Sequence, residues 1–312
     1  MNSVSILAEE IRSALETAHP NLRKTIAKKL PLLVAVMLET KTANTTELAT
    51  ALPIATTRID MRLQWIARLL GNPLLMSNRI IEPFAHRVLE KALEHDPNLV
   101  ITMVREAIGD RFTLVMVNAL IGNQVFPLAW RADSTTEELG RYRRSVLERV
   151  AEWLPKNAKV RLIVDQEPLT EEMLLLIQKQ GWQYRCFLDE TFPIASGERT
   201  RAVGDVLKEG VSGGALLNAP IFSGKTTTDL VLIPATKKSV MRVMATNCAS
   251  LPEETSEHWP TPVGVDTVFA AFKGNGSSLR ATHLHYAIRI DHMVLLMALA
   301  LYWRHQTDGA SP

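Results

Sequence analysis

The chain has 312 residues, of which 46% are hydrophobic and 22% are charged, and its formal net charge is +2. This length suggests about two domains with packed cores, and so small a net charge does not by itself identify a partner. The chain has no signal-peptide core and no apolar run long enough to span a bilayer, so we expect a cytoplasmic protein with no membrane partner. It has only two cysteines, Cys186 and Cys248, and they lack metal-ligand spacing, so we expect free thiols.

Residues 1–96 are predicted to form an all-helical domain. Asn44, with Glu47 three residues later, marks the start of a short helix, and Pro53 ends it. A second helix follows, capped by Thr56 or Thr57. Its apolar residues recur at helical spacing and form one face: Ile59, Leu63, Ile66 and Leu70.

The same region carries an excess of positive charge. Residues 20–81 contain nine Lys or Arg against three acidic residues, which favours a polyanionic partner. Arg58, Arg62 and Arg68 lie mostly off the apolar face of the second helix. A short helix, a turn and a basic helix resemble a helix-turn-helix, whose arginines suit phosphates and guanine edges. A helical bundle with a solvated basic surface fits the spacing equally well.

Residues 99–189 contain the strongest strand signals of the chain. The apolar runs 99–104, 113–121 and 124–132 predict three strands, and Gly122-Asn123 between the last two predicts a two-residue hairpin. A capping box at residues 134–137 then begins an amphipathic helix that Pro155 ends.

Two further strands follow, each after a helix. A strand over residues 160–164 ends at Asp165, Thr170 caps a helix through Gln180, and Gly181 closes it before a strand over 184–188. An antiparallel meander followed by two strands reached through helices is the order of the ribonuclease H-like fold. We therefore expect an α/β (α+β) protein with a mixed five-stranded sheet.

Residues 191–256 are predicted to form a β-rich insertion. They contain six glycines, four prolines and short strand-like runs at 215–217, 230–233 and 240–245. Residues 219–226 also fit a loose phosphate-loop pattern, but a strand follows them instead of a helix, so a hairpin tip with a solvated Lys225 is the preferred interpretation. Helix returns near Val265 and over residues 290–304.

In this order, the motifs of the chain resemble those of bacterial insertion-sequence transposases of the DDE class, and the likeness covers nearly the whole chain. The matching segments, in chain order, are Arg68-Leu-Leu-Gly-Asn-Pro73, Phe126-Pro-Leu-Ala-Trp130-Arg, the strand ending in Asp165, Gly181-Trp182-x-Tyr184, Phe269-x-x-Phe272-Lys273 and Thr282-His283-Leu284.

The resemblance implies a division of the chain and a set of partners. It implies a DNA-binding domain over residues 1–96, a ribonuclease H-like core over 97–190 and 257–306 interrupted by the insertion 191–256, and a tail over 307–312. The implied partner is double-stranded DNA at the ends of the element, with a homodimer as one compatible assembly. The protein would then lie on the nucleoid when bound to DNA.

The resemblance also implies two-metal chemistry with Mg²⁺ or Mn²⁺ held by three carboxylates. It places Val104 at the first acid, Asp165 at the second and Asp266 at the third. Lys273 matches the lysine of the family's helical motif. Trp259 and Pro262 stand where that motif has Tyr and Arg.

These departures predict impaired cleavage, because an isopropyl side chain cannot ligate Mg²⁺ and prolines at 260 and 262 disfavour helix. Glu106 and Asp110 are the candidates to replace the missing acid. Three hypotheses follow. The first is a transposase-like protein impaired in cleavage, and the second is an active enzyme that uses Glu106 or Asp110 with Asp165 and Asp266 as metal ligands. The third is a repurposed DNA-binding or regulatory protein, or a decaying copy. In each, the predicted DNA contacts are Arg58, Arg62, Arg68 and Lys273.

Overall fold

The computed structural model describes residues 3–134, 136–165, 169–196, 199–210, 215–222, 224, 226–233, 242–248, 260, 262–272, 279–282 and 284–308. These residues form a mixed α/β protein built around one ten-stranded sheet. The predicted α/β class with a mixed sheet is therefore confirmed. The sheet has twice the predicted number of strands, for a reason given below.

Residues 3–95 form five helices, as their hydrophobic periodicity predicts. The helices are α1 (Ser3–Ala18), α2 (Lys24–Thr40), α3 (Thr45–Ala51), α4 (Ile59–Leu70) and α5 (Ser77–His95). The predicted cap of α3 is confirmed, because Asn44 Oδ1 accepts the backbone N–H groups of Thr46 and Glu47.

The strands and the remaining helices follow in the described part of the chain. In order, they are β1 (Asn98–Ile108), β2 (Phe112–Ile121), β3 (Gln124–Asp133), α6 (Thr136–Trp153), β4 (Lys159–Asp165), α7 (Glu171–Lys179), β5 (Gln183–Leu188), β6 (Pro193–Ser196), β7 (Arg199–Ala202), α8 (Val203–Gly210), β8 (Ala215–Ile221), β9 (Thr226–Ile233), β10 (Arg242–Thr246), α9 (Val265–Val268) and α10 (Ala287–Asp308).

The strands lie in the order β3-β2-β1-β4-β5-β10-β9-β8-β6-β7. Strands β1, β2 and β3 form the predicted antiparallel meander, while β4 pairs parallel to both β1 and β5. The segment predicted as an insertion adds its strands to the same sheet, because β10 pairs antiparallel with the free edge of β5. This continuation doubles the number of strands.

Local sequence signals explain the turns and helix starts that position the strands. Gly122 has a φ of +57° in the two-residue turn between β2 and β3. Thr170 Oγ1 accepts the N–H of Met173 at the start of α7, and Gly181, with a φ of +67°, follows the end of that helix. Strands β8 and β9 form a hairpin around Gly224, as predicted for the phosphate-loop-like segment; Lys225 lies outside the described residues.

Helix α10 lies at the centre of the molecule, and from Met293 to Leu301 it is apolar around its circumference. Every residue from Ile290 to Tyr302 is buried. It packs against α2, α4 and α5 on one side and against β3 on the other. Trp130 Nε1 donates to the carbonyl of Asp291, and Tyr302 Oη donates to that of Pro127. The N-terminal helices and the sheet consequently share one continuous hydrophobic core.

Candidate functional site

The predicted catalytic position lies where β1 and β4 run side by side. In the parallel register of these strands, Val104 is the partner of Asp165. Val104 is only 5% exposed, and Asp165 is the last residue of β4. Since paired residues point to the same face of a sheet, the isopropyl group of Val104 stands beside the carboxylate of Asp165.

Asp165 forms an ion pair with Arg242, the first residue of β10. The guanidinium carbon of Arg242 also lies 3.8 Å from the centre of the Phe187 ring, within cation–π distance. The side chain of Asp165 is 18% exposed and that of Arg242 is 36% exposed. The Asp165 carboxylate is therefore neutralised by a side chain of the protein at the mouth of the site.

Sequence reasoning missed Arg242. The run over residues 240–245 was predicted as a strand, but nothing in it indicates which strand it would pair with. The contact exists because β10 joins the edge of β5, which brings residue 242 to the end of β4. Only the sheet order could have revealed it.

Glu106 lies two residues beyond Val104 on the same face of β1, as predicted. Its Oε2 atom accepts the backbone N–H of Val265 at 2.9 Å. Val265 begins α9, so Glu106 holds the start of the short helix that contains Asp266. The structure thus brings Glu106 and the neighbourhood of Asp266 together, through a backbone contact.

Asp110 lies elsewhere, in the exposed turn between β1 and β2. It lines a cleft of about 280 Å³ in which Arg111 Nη2 lies 3.0 Å from Nδ1 of His285. Of the helical motif, Asp266 is half-buried within a helix of four residues and Pro262 precedes that helix. Trp259 and Lys273 lie outside the described residues.

The donor set does not fit a two-metal centre. Val104 offers no ligand atom, the Asp165 carboxylate pairs with Arg242, and Glu106 accepts a backbone N–H. Among the described residues, no group of three or more His, Cys, Asp or Glu side chains is arranged to hold a metal ion. A cation at this position would also meet the positive charge of Arg242.

The helix pair α3 and α4 carries the arginines predicted to contact DNA. The side chain of Arg58 is 72% exposed and pairs with Asp60 at 2.6 Å, an interaction that lowers the pKa of Asp60. Arg62 points back toward α3: its Nε donates to the carbonyl of Thr56 at 2.8 Å and its Nη1 to that of Thr50 at 2.8 Å. Arg62 therefore fixes α4 against the end of α3.

Arg68 is exposed in the last turn of α4. Gln64, one turn earlier, is exposed as well, and Met61, another turn back, is 43% exposed. Residues spaced by three and four lie along one side of a helix. Met61, Gln64 and Arg68 define what we call the outer face of α4, opposite the buried Ile66 and Leu70.

A larger cleft of about 680 Å³ lies between the start of α5, the end of β3, α6 and α10. Its wall includes Asp291 and His292, which are 9% and 4% exposed. Burial raises the pKa of Asp291 and lowers that of His292, whose Nδ1 donates to the carbonyl of Leu70 at 2.7 Å. This buried pair links α10 to the end of α4.

The two cysteines, Cys186 and Cys248, are free and buried, and burial raises the pKa of both thiols.

No helix in the described part of the chain combines the length and the apolar character that crossing a membrane requires. No protein-family model matches this chain, and no curated protein matches it.

Proposed function

We propose that this chain is a transposase-like protein of the insertion-sequence kind that binds double-stranded DNA and is impaired in strand cleavage. The observation that carries the proposal is the pairing of Asp165 with Arg242 beside Val104. Where transposases of the DDE class have the carboxylates that bind metal ions, this chain then has one carboxylate, and an arginine neutralises it.

The strand order supports the proposed ancestry. Strands β3-β2-β1-β4-β5 have two antiparallel and two parallel pairings, an order compatible with the ribonuclease H-like core that we propose. Asp165 at the end of β4 and Glu106 near the end of β1 lie at the edge formed by the carboxyl ends of these two central strands, where the proposed ancestry leads us to expect acids. Fold alone does not define activity, so the chemistry of this edge decides the function.

The outer face of α4 supports DNA binding. Arg68 and Gln64 carry groups that can hydrogen-bond guanine and adenine edges, and the exposed Met61 can pack on a thymine methyl group. Arg58, at the N-terminal end of the same helix, can meet a phosphate. Arg62 holds α4 at a fixed angle to α3, as a helix that enters the major groove requires.

A binding experiment tests this proposal. Full-length protein is used to select duplexes from a random-sequence library, and its affinity for the selected duplex is then measured by fluorescence anisotropy over a range of salt concentrations. We expect the affinity to fall with salt. Arg68→Ala and Arg58→Ala should each weaken binding, whereas Lys179→Ala, which removes an exposed charge from α7, should not.

Two results would contradict the proposal. If wild-type binding is no tighter than that of an unrelated protein of similar isoelectric point, DNA binding is excluded. If the selected duplex is nicked in the presence of Mg²⁺ or Mn²⁺, cleavage is not impaired and the hypothesis of an active enzyme, with Glu106 or Asp110 completing the acids, replaces ours.

A second candidate function is a repurposed DNA-binding or regulatory protein derived from a transposase. The Arg242 pair favours it, because a neutralised site suits binding without cleavage. DNA flanking the coding region separates the two: inverted repeats on both sides indicate a mobile element, and their absence indicates a captured gene. Both candidates place the protein on the nucleoid, and both are compatible with a homodimer.

A further inference from the structure

We infer that Arg242 provides a metal-independent contact for a DNA backbone phosphate at the site beside Asp165. The inference rests on the proposed DNA binding and adds a second contact region to it, distant in sequence from α4. It assigns phosphate binding to a site whose residues do not provide the ligands of a two-metal centre.

The first argument is the geometry of Arg242. A guanidinium has five N–H donors in one plane. In the described structure, the Nη2 atom contacts Oδ1 of Asp165, and the Phe187 ring lies against the guanidinium at 3.8 Å. The ring fixes the plane of the group, and the side chain remains 36% exposed. Such a group can accept a second anion, and arginine is well suited to phosphate.

The second argument is that other arginines lie on the same face of the sheet as Arg242. Arg161 on β4 and Arg185 on β5 lie on the same face as Asp165, because Ile163 is the register partner of Arg185 and residues two apart share a face. Burial, together with the nearby charge of Arg161, lowers the pKa of Arg185. Arg242 lies on this face too, because Thr246 is the register partner of Arg185 and residues 242 and 246 are an even number of positions apart on β10. It is about 13 Å along the strands from the position of Arg185. The three arginines therefore add positive charge to one face of three neighbouring strands.

The third argument is the balance of charge at the strand ends. Arg242 cancels the charge of Asp165, and the carboxylate of Glu106 is held by the N–H of Val265. A divalent cation placed here would be opposed by Arg242, whereas a phosphate would be attracted by it. With Arg161 and Arg185 included, this face of the sheet carries three guanidinium charges against the two carboxylates of Asp165 and Glu106, and this excess of positive charge favours an anion.

Two variants should change DNA affinity in opposite directions. Arg242→Gln should lower the affinity for the selected duplex roughly threefold to tenfold and reduce the salt slope by about 1, as expected for one lost phosphate contact. Asp165→Asn should raise the affinity, because the amide keeps a hydrogen-bond acceptor for Arg242 but no longer competes with phosphate for its charge. A purely structural ion pair would not give opposite signs.

Arg201→Gln is the matched control. Arg201 pairs with Glu209, its side chain is also 36% exposed, and it lies on β7 at the far edge of the sheet. The same charge is removed from a similar ion pair, so we expect unchanged affinity and salt slope. Urea unfolding of each variant confirms that the folded protein is being compared, and Arg242→Lys, which keeps the charge without the planar group, provides an intermediate case if Arg242→Gln does not fold.

Measurements with EDTA and with added Mn²⁺ complete the test. We expect wild-type affinity to be the same in both. If wild-type protein binds DNA but Arg242→Gln behaves like Arg201→Gln, the inference is wrong and the proposed function stands. If binding requires a divalent ion and is lost in Asp165→Asn, the site holds a metal and the inference is also wrong. Failure of the wild-type protein to bind any duplex overturns the proposed function itself.

Discussion

Arg62 and Arg68 lie six residues apart on one helix and have different surroundings. Both were predicted to contact DNA. The Arg62 guanidinium donates to backbone carbonyls of α3 and of the turn before α4, whereas Arg68 is exposed on the outer face. Spacing on a helix predicts which side a residue occupies but not how a long side chain bends. Whether Arg62 also meets DNA stays a prediction.

Arg62→Ala should lower the free energy of unfolding by about 1–2 kcal/mol, because it removes charge-assisted hydrogen bonds to the carbonyls of Thr50 and Thr56. Arg68→Ala should change it by no more than about 0.5 kcal/mol, as an exposed surface residue. Urea denaturation measures both. Equal effects of the two substitutions would contradict the assigned role of Arg62.

Asp291 makes stability depend on pH. Burial raises its pKa above the ordinary value of 3.8, so the folded state binds a proton more tightly than the unfolded state does. The contribution of Asp291 to the free energy of unfolding is therefore fully present below pH 3.8 and is lost as the pH rises through the folded-state pKa. His292, whose pKa is lowered by burial, acts in the opposite sense and loses stability as the pH falls below its ordinary value of 6.5.

Asp291→Asn should therefore be more stable than the wild-type protein at neutral pH, and this advantage should shrink as the pH falls toward 3.8. The amide keeps an oxygen for the N–H of Ala132. Urea denaturation over a pH series measures the difference, with His292 present in both proteins. A difference that is constant with pH would show that Asp291 does not titrate in this range.

At the scale of elements, α10 joins the two halves of the molecule. It contacts α2, α4 and α5 as well as β3, and its residues from Ile290 to Tyr302 are buried on every side. A helix apolar around its circumference belongs to the interior. The sequence predicted a helix over residues 290–304 and could not indicate which elements would surround it.

Leu296→Ala should destabilise the protein by about 2–5 kcal/mol, since Leu296 is fully buried at the middle of α10 and the substitution leaves a cavity. Leu175→Ala, on α7, provides the control, because Leu175 is 48% exposed. Denaturant midpoints at constant slope measure the two effects. A loss below about 1 kcal/mol for Leu296→Ala would show that α10 is not tightly packed.

Elements with local signals were predictable, and those with long-range causes were not. The caps of α3 and α7 and the turn after β2 depend on residues that are neighbours in sequence, so Asn44, Thr170 and Gly122 were enough. Strands β6 and β7 were missed because they are short and depend on pairing within the extended sheet. Helix α8 was missed because it is a short helix that packs against β6, β7 and β9. The position of Val104 beside Asp165 followed from strand order; the Arg242 contact did not.

At the scale of the whole molecule, one continuous core predicts cooperative unfolding. The N-terminal helices and the sheet are packed through α10, without a separate apolar centre in the part of the chain that the structure describes. Scanning calorimetry should give one transition, with the calorimetric enthalpy equal to the van't Hoff enthalpy. Two resolved transitions would instead support the independent domain over residues 1–96 that the sequence predicts.

The extension of the sheet beyond β5 has a consequence for the history of the protein. Arg242 comes from a strand that follows Asp165 by 77 residues, while Val104 lies on the first strand. On the proposed ancestry, the position of the lost acid and the neutralising arginine lie in separate segments of the gene. A single reversion at Val104 would add a buried carboxylate beside an arginine that already satisfies Asp165. Return to the proposed ancestral chemistry needs a change at position 242 as well as at Val104, besides the departures at Trp259 and Pro262, which makes the loss difficult to reverse by stepwise mutation.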